Sequence, residues 1–90
     1  MVKGLNDQLL EEIIDNYGQN IIAISHMFKV KNEYNAFYGW LTDCITDAGI
    51  IAYGKESTNE QRAEAFRKLG ILVGAVHKLN DFSELATFQN

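Results

Sequence analysis

The chain has 90 residues, of which 47% are hydrophobic and 22% charged, with a net charge of −4 and a pI near 5.0. That composition excludes a disordered segment, and the acidic balance excludes generic attachment to a nucleic-acid backbone or an anionic membrane, since both are driven by accumulated positive charge. One domain spanning residues 1–90 is expected, small enough that its stability stays modest unless copies associate.

The lone cysteine, Cys44, leaves no internal disulfide. No run reaches the roughly 18 apolar residues of a membrane span, and "MVKGLNDQ" lacks a signal-peptide core, so a cytoplasmic protein is expected. Proline is absent altogether. Because proline concentrates in loops and strand edges, its absence leans the chain towards helix.

Asn6 or Asp7 can cap a first helix whose Leu9, Leu10, Ile13, Ile14 and Tyr17 fall at helical spacing, and Gly18 sits where a left-handed cap would end it. "NIIAISHMFKV" reads as a helix capped by Asn20, although its compact apolar run would also suit a buried strand. Asn32 offers a cap for a long segment reaching about Tyr53, with Tyr34, Phe37, Tyr38, Leu41, Cys44, Ile45, Ala48, Ile51 and Ala52 in one stripe and Gly54 beyond its end. "ESTNEQ" fits a capping box, Thr58 with Gln61 or Ser57 with Glu60. The helix it opens should run from about Asn59 to Leu79, with Ala65, Phe66, Leu69, Leu72, Val73 and Val76 inward and Ile71 and Ala75 opposite. His77 projects onto the apolar side, and Gly70 there permits close helix approach. Asp81 or Ser83 can cap a last short helix, "ELATF". The expected fold class is therefore all-α: a small helical bundle built on a long antiparallel helix hairpin, with one or two N-terminal helices packed across it.

Half of the aromatic residues lie in "FKVKNEYNAFYGW", beside His26, Lys29 and Lys31. Aromatic rings that stack on a base and ammonium groups that meet phosphate are what a nucleotide-like ligand needs. Trp40, on the flank of the long stripe, also has the character of an interface anchor. Packing alone accounts for Phe28, Tyr34 and Phe37, which follow the apolar period. The candidate ligand or partner surface is His26, Lys29, Lys31, Tyr34, Tyr38 and Trp40, with Arg67 as a further cation. His26, Cys44 and His77 lack the paired short spacings of a zinc site, so no metal, cofactor or catalytic residue is assigned. Most charge in "EQRAEAFRKLG" should be self-compensated, Glu60 and Glu64 pairing at i, i+4 or i, i+3 with Arg62, Arg67 and Lys68, and Glu64 to Lys68 being the favourable order.

These features suit a small non-enzymatic binding protein, an inhibitor, adaptor or ligand-sequestering module, expected to be homo-oligomeric with a protein partner or a small phosphorylated ligand. Its general character resembles that of small phage or mobile-element accessory proteins. An alternative starts from Glu11, Glu12 and Asp15 in "LLEEIID" and the pair Asp43 and Asp47. These acidic positions resemble the motifs of the all-α pyrophosphohydrolases, which implies magnesium-dependent hydrolysis of a nucleotide phosphoanhydride. The second pair departs from that pattern in its four-residue spacing and in lacking a Glu.

Overall fold

The computed structural model describes residues 4–28 and 30–85, the side chains of 82–85 excepted. Four helices follow in order: α1 (Asp7–Asp15), α2 (Ile21–Ser25), α3 (Lys31–Ala52) and α4 (Asn59–Leu85). Helices α3 and α4 pack against each other as the hairpin, and α1 and α2 lie against α4. No strand occurs among the described residues, and no helix there is long and apolar enough to cross a membrane.

Asn6 is the residue that caps α1, its Oδ1 accepting from the Leu9 amide at 3.0 Å. The helix buries Leu9, Ile13 and Ile14. At about 1.5–3 kcal/mol for each fully buried side chain of this kind, that face holds the short helix in place more than its own propensity does. Tyr17, expected on the stripe, is exposed instead. The helix has ended by then, and Tyr17 and Gly18 both take left-handed backbone (φ 53° and 72°), which swings the tyrosine away from the core.

Residues 21–25 are helical rather than extended, but they form little more than one turn. Asn20 sits at its start without a side-chain cap, and the buried Asn20 Oδ1 has no hydrogen-bond partner among the described residues. Phe28 follows in the core. Helix α3 begins earlier than expected: Val30 is its N-cap, in extended backbone with no capping side chain, and Asn32 falls inside the first turn.

The capping box at α4 forms as read, the Thr58 amide donating to Gln61 Oε1 at 2.8 Å and the Gln61 amide to Thr58 Oγ1 at 3.1 Å. Helix α4 then runs through Asp81 and Ser83 to Leu85 without a break, so neither caps a separate helix. The rest of "ELATF", from residue 86, lies outside the described residues.

The larger correction is the face that α4 buries. Ala65, Leu72, Ala75 and Leu79 are buried, while Phe66 is 45% and Val73 38% exposed. Ala75, expected on the outer side, is 1% exposed. The cause is a second neighbour. Helix α4 meets α3 through Leu72 and Leu79, and it meets the α1–α2 turn through Ala75, where a Cβ on Gly18 would stand 3.4 Å from the Ala75 Cβ. Lys78 Nζ, donating to Gln19 Oε1 at 3.0 Å, ties the same side. His77 is consequently exposed, and Gly70 has no atom within 4 Å of where its Cβ would be, so it mediates no close approach.

The hairpin thus has two unlike sides. One is covered by α1 and α2. The other is marked by the Tyr38 hydroxyl donating to Asn80 Oδ1 at 3.0 Å and, near the turn, by the rings of Tyr53 and Phe66 in edge contact at 5.2 Å. No described helix covers that second side.

Candidate functional site

The aromatic cluster resolves into core. Phe28 stacks on Phe37 with centroids 4.7 Å apart, and Trp40 stacks on Phe37 at 6.1 Å. Phe37 is fully buried and Tyr34 is 7% exposed. Trp40 and Tyr38 are half-buried against the same core. Phe28, Phe37 and Trp40 thus spend ring faces on one another, and Tyr34, tilted against Tyr38 at 6.4 Å, is packed in the core.

His26 and Lys31 are exposed at the ends of the loop between α2 and α3. Lys29 lies outside the described residues. Arg67 belongs to another surface, on α4, where its Nη2 meets Glu64 Oε1 at 2.7 Å. Their mutual hydrogen bond lowers the Glu64 carboxyl and raises the Arg67 guanidinium from their ordinary values. Of the i, i+3 and i, i+4 pairings open to Glu64, the one formed is the i, i+3 pair with Arg67. Of the six described candidate residues, Arg67 stands on α4 apart from the other five, which lie on α3 and at the end of α2.

The carboxylates are also divided. Glu11 and Asp15 line a polar depression of about 540 Å³ between α1 and α4, which holds Glu64 but also Arg67 and Lys68. Asp43 and Asp47 are exposed on α3, flanking Cys44. Among the described residues, no group of three or more His, Cys, Asp or Glu side chains is placed to hold a metal ion. The convergence that magnesium-dependent hydrolysis requires is missing there.

A different site is present at the turn end of the hairpin. Helix α1, 9 residues long, packs on α4 and is much shorter than the hairpin helices α3 and α4, which have 22 and 27 residues. Near the turn, α3 and α4 line an open groove of about 710 Å³, which shares Glu64 and Lys68 with the depression beside α1. Ala48 and Ile51 of α3 and Ala65 of α4 give it an apolar floor. Its rim carries Glu56, Glu60 and Glu64 against Lys55 and Lys68. Arg62 fixes the turn that closes the groove, donating from Nε and Nη2 to the Gly54 carbonyl.

Comparison with models of protein families, with curated proteins and with solved structures finds no match of any kind. Function has to be argued from the groove and the surfaces themselves.

Sequence reasoning missed this groove for a definable reason. Ile51 belongs to the α3 stripe, and Glu60 and Glu64 read as capping or ion-pairing residues of α4. What makes a site of them is that α1 does not reach the hairpin turn, and no local motif signals that.

Proposed function

We propose that the protein is a non-enzymatic binding module whose groove at the α3–α4 turn receives an amphipathic helical segment of a protein partner. The observation that carries this reading is the open groove with an apolar floor between α3 and α4, which adjoins, through Glu64 and Lys68, the depression where α1 packs on α4. A groove between two packed antiparallel helices has the shape that receives a third helix.

Charge favours a partner helix with cations on its flanks. Three carboxylates on the rim, Glu56, Glu60 and Glu64, stand against two lysines, Lys55 and Lys68. Leu or Ile side chains at i, i+3, i+4 and i+7 would meet the floor of Ala48, Ile51 and Ala65. Affinity comes from covering Ile51, which is 45% exposed in the free protein, and the rim sets partner choice and approach rate.

The test is fluorescence anisotropy with a labelled synthetic helix of leucines and lysines, about fourteen residues long and patterned for one apolar face. Saturable binding is expected, weakened at least about tenfold by Ile51→Asp and again by Glu60→Lys, while a leucine–glutamate helix of the same pattern stays unbound. Equal affinity for wild type and Ile51→Asp, with circular dichroism showing both folded, overturns the reading.

A further inference from the structure

The hairpin side away from α1 and α2 is largely apolar, with Thr42 and Asn80 as polar members, and it is uncovered by any described helix and free of carboxylates. Tyr53 is 75% exposed there, beside Phe66 and Val73. Ile45, Leu69 and Val76 fill the seam between the helices, each only partly buried. Between the Tyr38–Asn80 hydrogen bond at one end and the Tyr53–Phe66 ring contact at the other, helical periodicity places no Asp or Glu on this side of either helix. In a chain of net charge −4, the described acidic residues lie elsewhere: on α1, in the turn, and on the other faces of α3 and α4.

We infer that this face is where a second copy of the chain docks, hairpin on hairpin, in a two-fold symmetric dimer. The charge distribution selects the occupant. Two acidic molecules repel through most of their surfaces, and this face brings no carboxylate against its own copy. A two-fold axis normal to the face lays the turn of one protomer against the Tyr38–Asn80 end of its partner, forming an antiparallel four-helix packing. Size is adequate. Along the roughly 16 residues from Tyr38 to Tyr53 the face runs about 24 Å, and two packed helices make it about 20 Å wide, so two copies together bury roughly 1,000 Å², the lower bound for a specific interface and the size of a weak dimer. The groove proposed for a partner helix opens on the other side of the hairpin and stays accessible in this dimer.

Sedimentation velocity of the full chain tests the inference. Wild type should sediment at twice the chain mass of 10.2 kDa, and Val73→Glu, which sets two carboxylates into the interface, at the chain mass with unchanged helical circular dichroism. Should Val73→Glu unfold, Phe66→Glu decides in its place. Ile51→Glu, in the groove, should remain dimeric, so failure of the groove reading and failure of this one are separable. A wild type that is monomeric at high micromolar concentration overturns the inference. So does a dimer that survives both Val73→Glu and Phe66→Glu, or one that Ile51→Glu dissolves while leaving the fold intact.

Discussion

Arg62 holds the α3–α4 turn shut: its Nε and Nη2 donate to the Gly54 carbonyl at 3.1 and 2.8 Å, and Nη2 also donates to the Lys55 carbonyl at 3.1 Å. These carbonyls lie just past the C-terminus of α3, where orphan acceptors and the negative end of the helix dipole both favour a cation. Arg62→Ala should therefore cost about 1–2 kcal/mol, the worth of charge-assisted hydrogen bonds on a partly buried acceptor. Arg62→Lys should recover part of it, because an ammonium keeps the charge but not the fork. Urea denaturation midpoints decide the order: wild type, then lysine, then alanine. An alanine variant as stable as wild type would show that the turn closes without the guanidinium.

Two glycines should respond to alanine with opposite signs. At Gly54 a Cβ would lie 2.8 Å from the Ile50 carbonyl oxygen and 3.0 Å from Ser57 Oγ. The Ile50 oxygen belongs to the backbone and cannot retreat without loosening the end of α3, so Gly54→Ala should destabilise by about 1–3 kcal/mol. Gly74 is exposed inside α4 with nothing within 4 Å of its Cβ position. There alanine only reduces the freedom of the unfolded chain, and Gly74→Ala should stabilise by up to about 1 kcal/mol. Thermal melts of both variants read the signs directly.

Local chemistry was legible in the sequence where a side chain acts on its own helix. Asn6, the Thr58–Gln61 box and Gly18 were readable because each satisfies or ends a backbone pattern within a few residues. The helical class and the hairpin followed from the long apolar stripes. The inward face of α4 was misread because periodicity weighs large apolar residues, and Phe66 and Val73 outweigh Ala65 and Ala75. In the folded chain the small residues are inside, since they let α3 and the α1–α2 turn approach α4 closely, and the large ones are left on the uncovered side. Val30 gave no sign of starting α3, because its extended backbone starts the helix without a capping side chain. The candidate site was the least legible part. Aromatic and basic residues adjacent in sequence suggested a ligand surface, yet the rings stack on one another in the core. The groove joins residues from α3, the turn and α4 that share no motif.

Burial separates the two aromatic groups energetically. Phe37 is fully buried between Phe28 and Trp40, so Phe37→Ala should cost about 3–5 kcal/mol, a large share of what a domain of this size has. Trp40 emission should shift to the red in that variant as its packed neighbour is lost. Tyr53→Ala removes a ring that is mostly in solvent, and the stability of the isolated protomer should fall by less than about 1 kcal/mol. Measurement of Tyr53→Ala in the Val73→Glu background keeps protomer stability apart from association. Equal losses for Phe37→Ala and Tyr53→Ala would contradict the assignment of core and surface.

The Cys44 thiol is raised from an ordinary value of 9.0 to about 11, first by burial and then by the carboxylates of Asp47, Asp43 and Asp7. Both causes disfavour the thiolate, which is the reactive form, so the side chain should be a slow nucleophile at neutral pH despite being the one cysteine of the chain. Alkylation by iodoacetamide should rise with pH to a midpoint near 11 in the folded protein and near 9 in urea. The linked effect on folding has a definite sign. Between pH 9 and 11 the unfolded chain has lost a proton that the folded chain retains, so this contribution to stability is intact below pH 9 and disappears as pH rises towards 11. Cys44→Ala removes the titrating group, and its stability should decline less steeply than that of wild type over the same interval. A native-state alkylation midpoint at 9 would mean that Cys44 is wetter, and further from those carboxylates, than its packing against the core indicates.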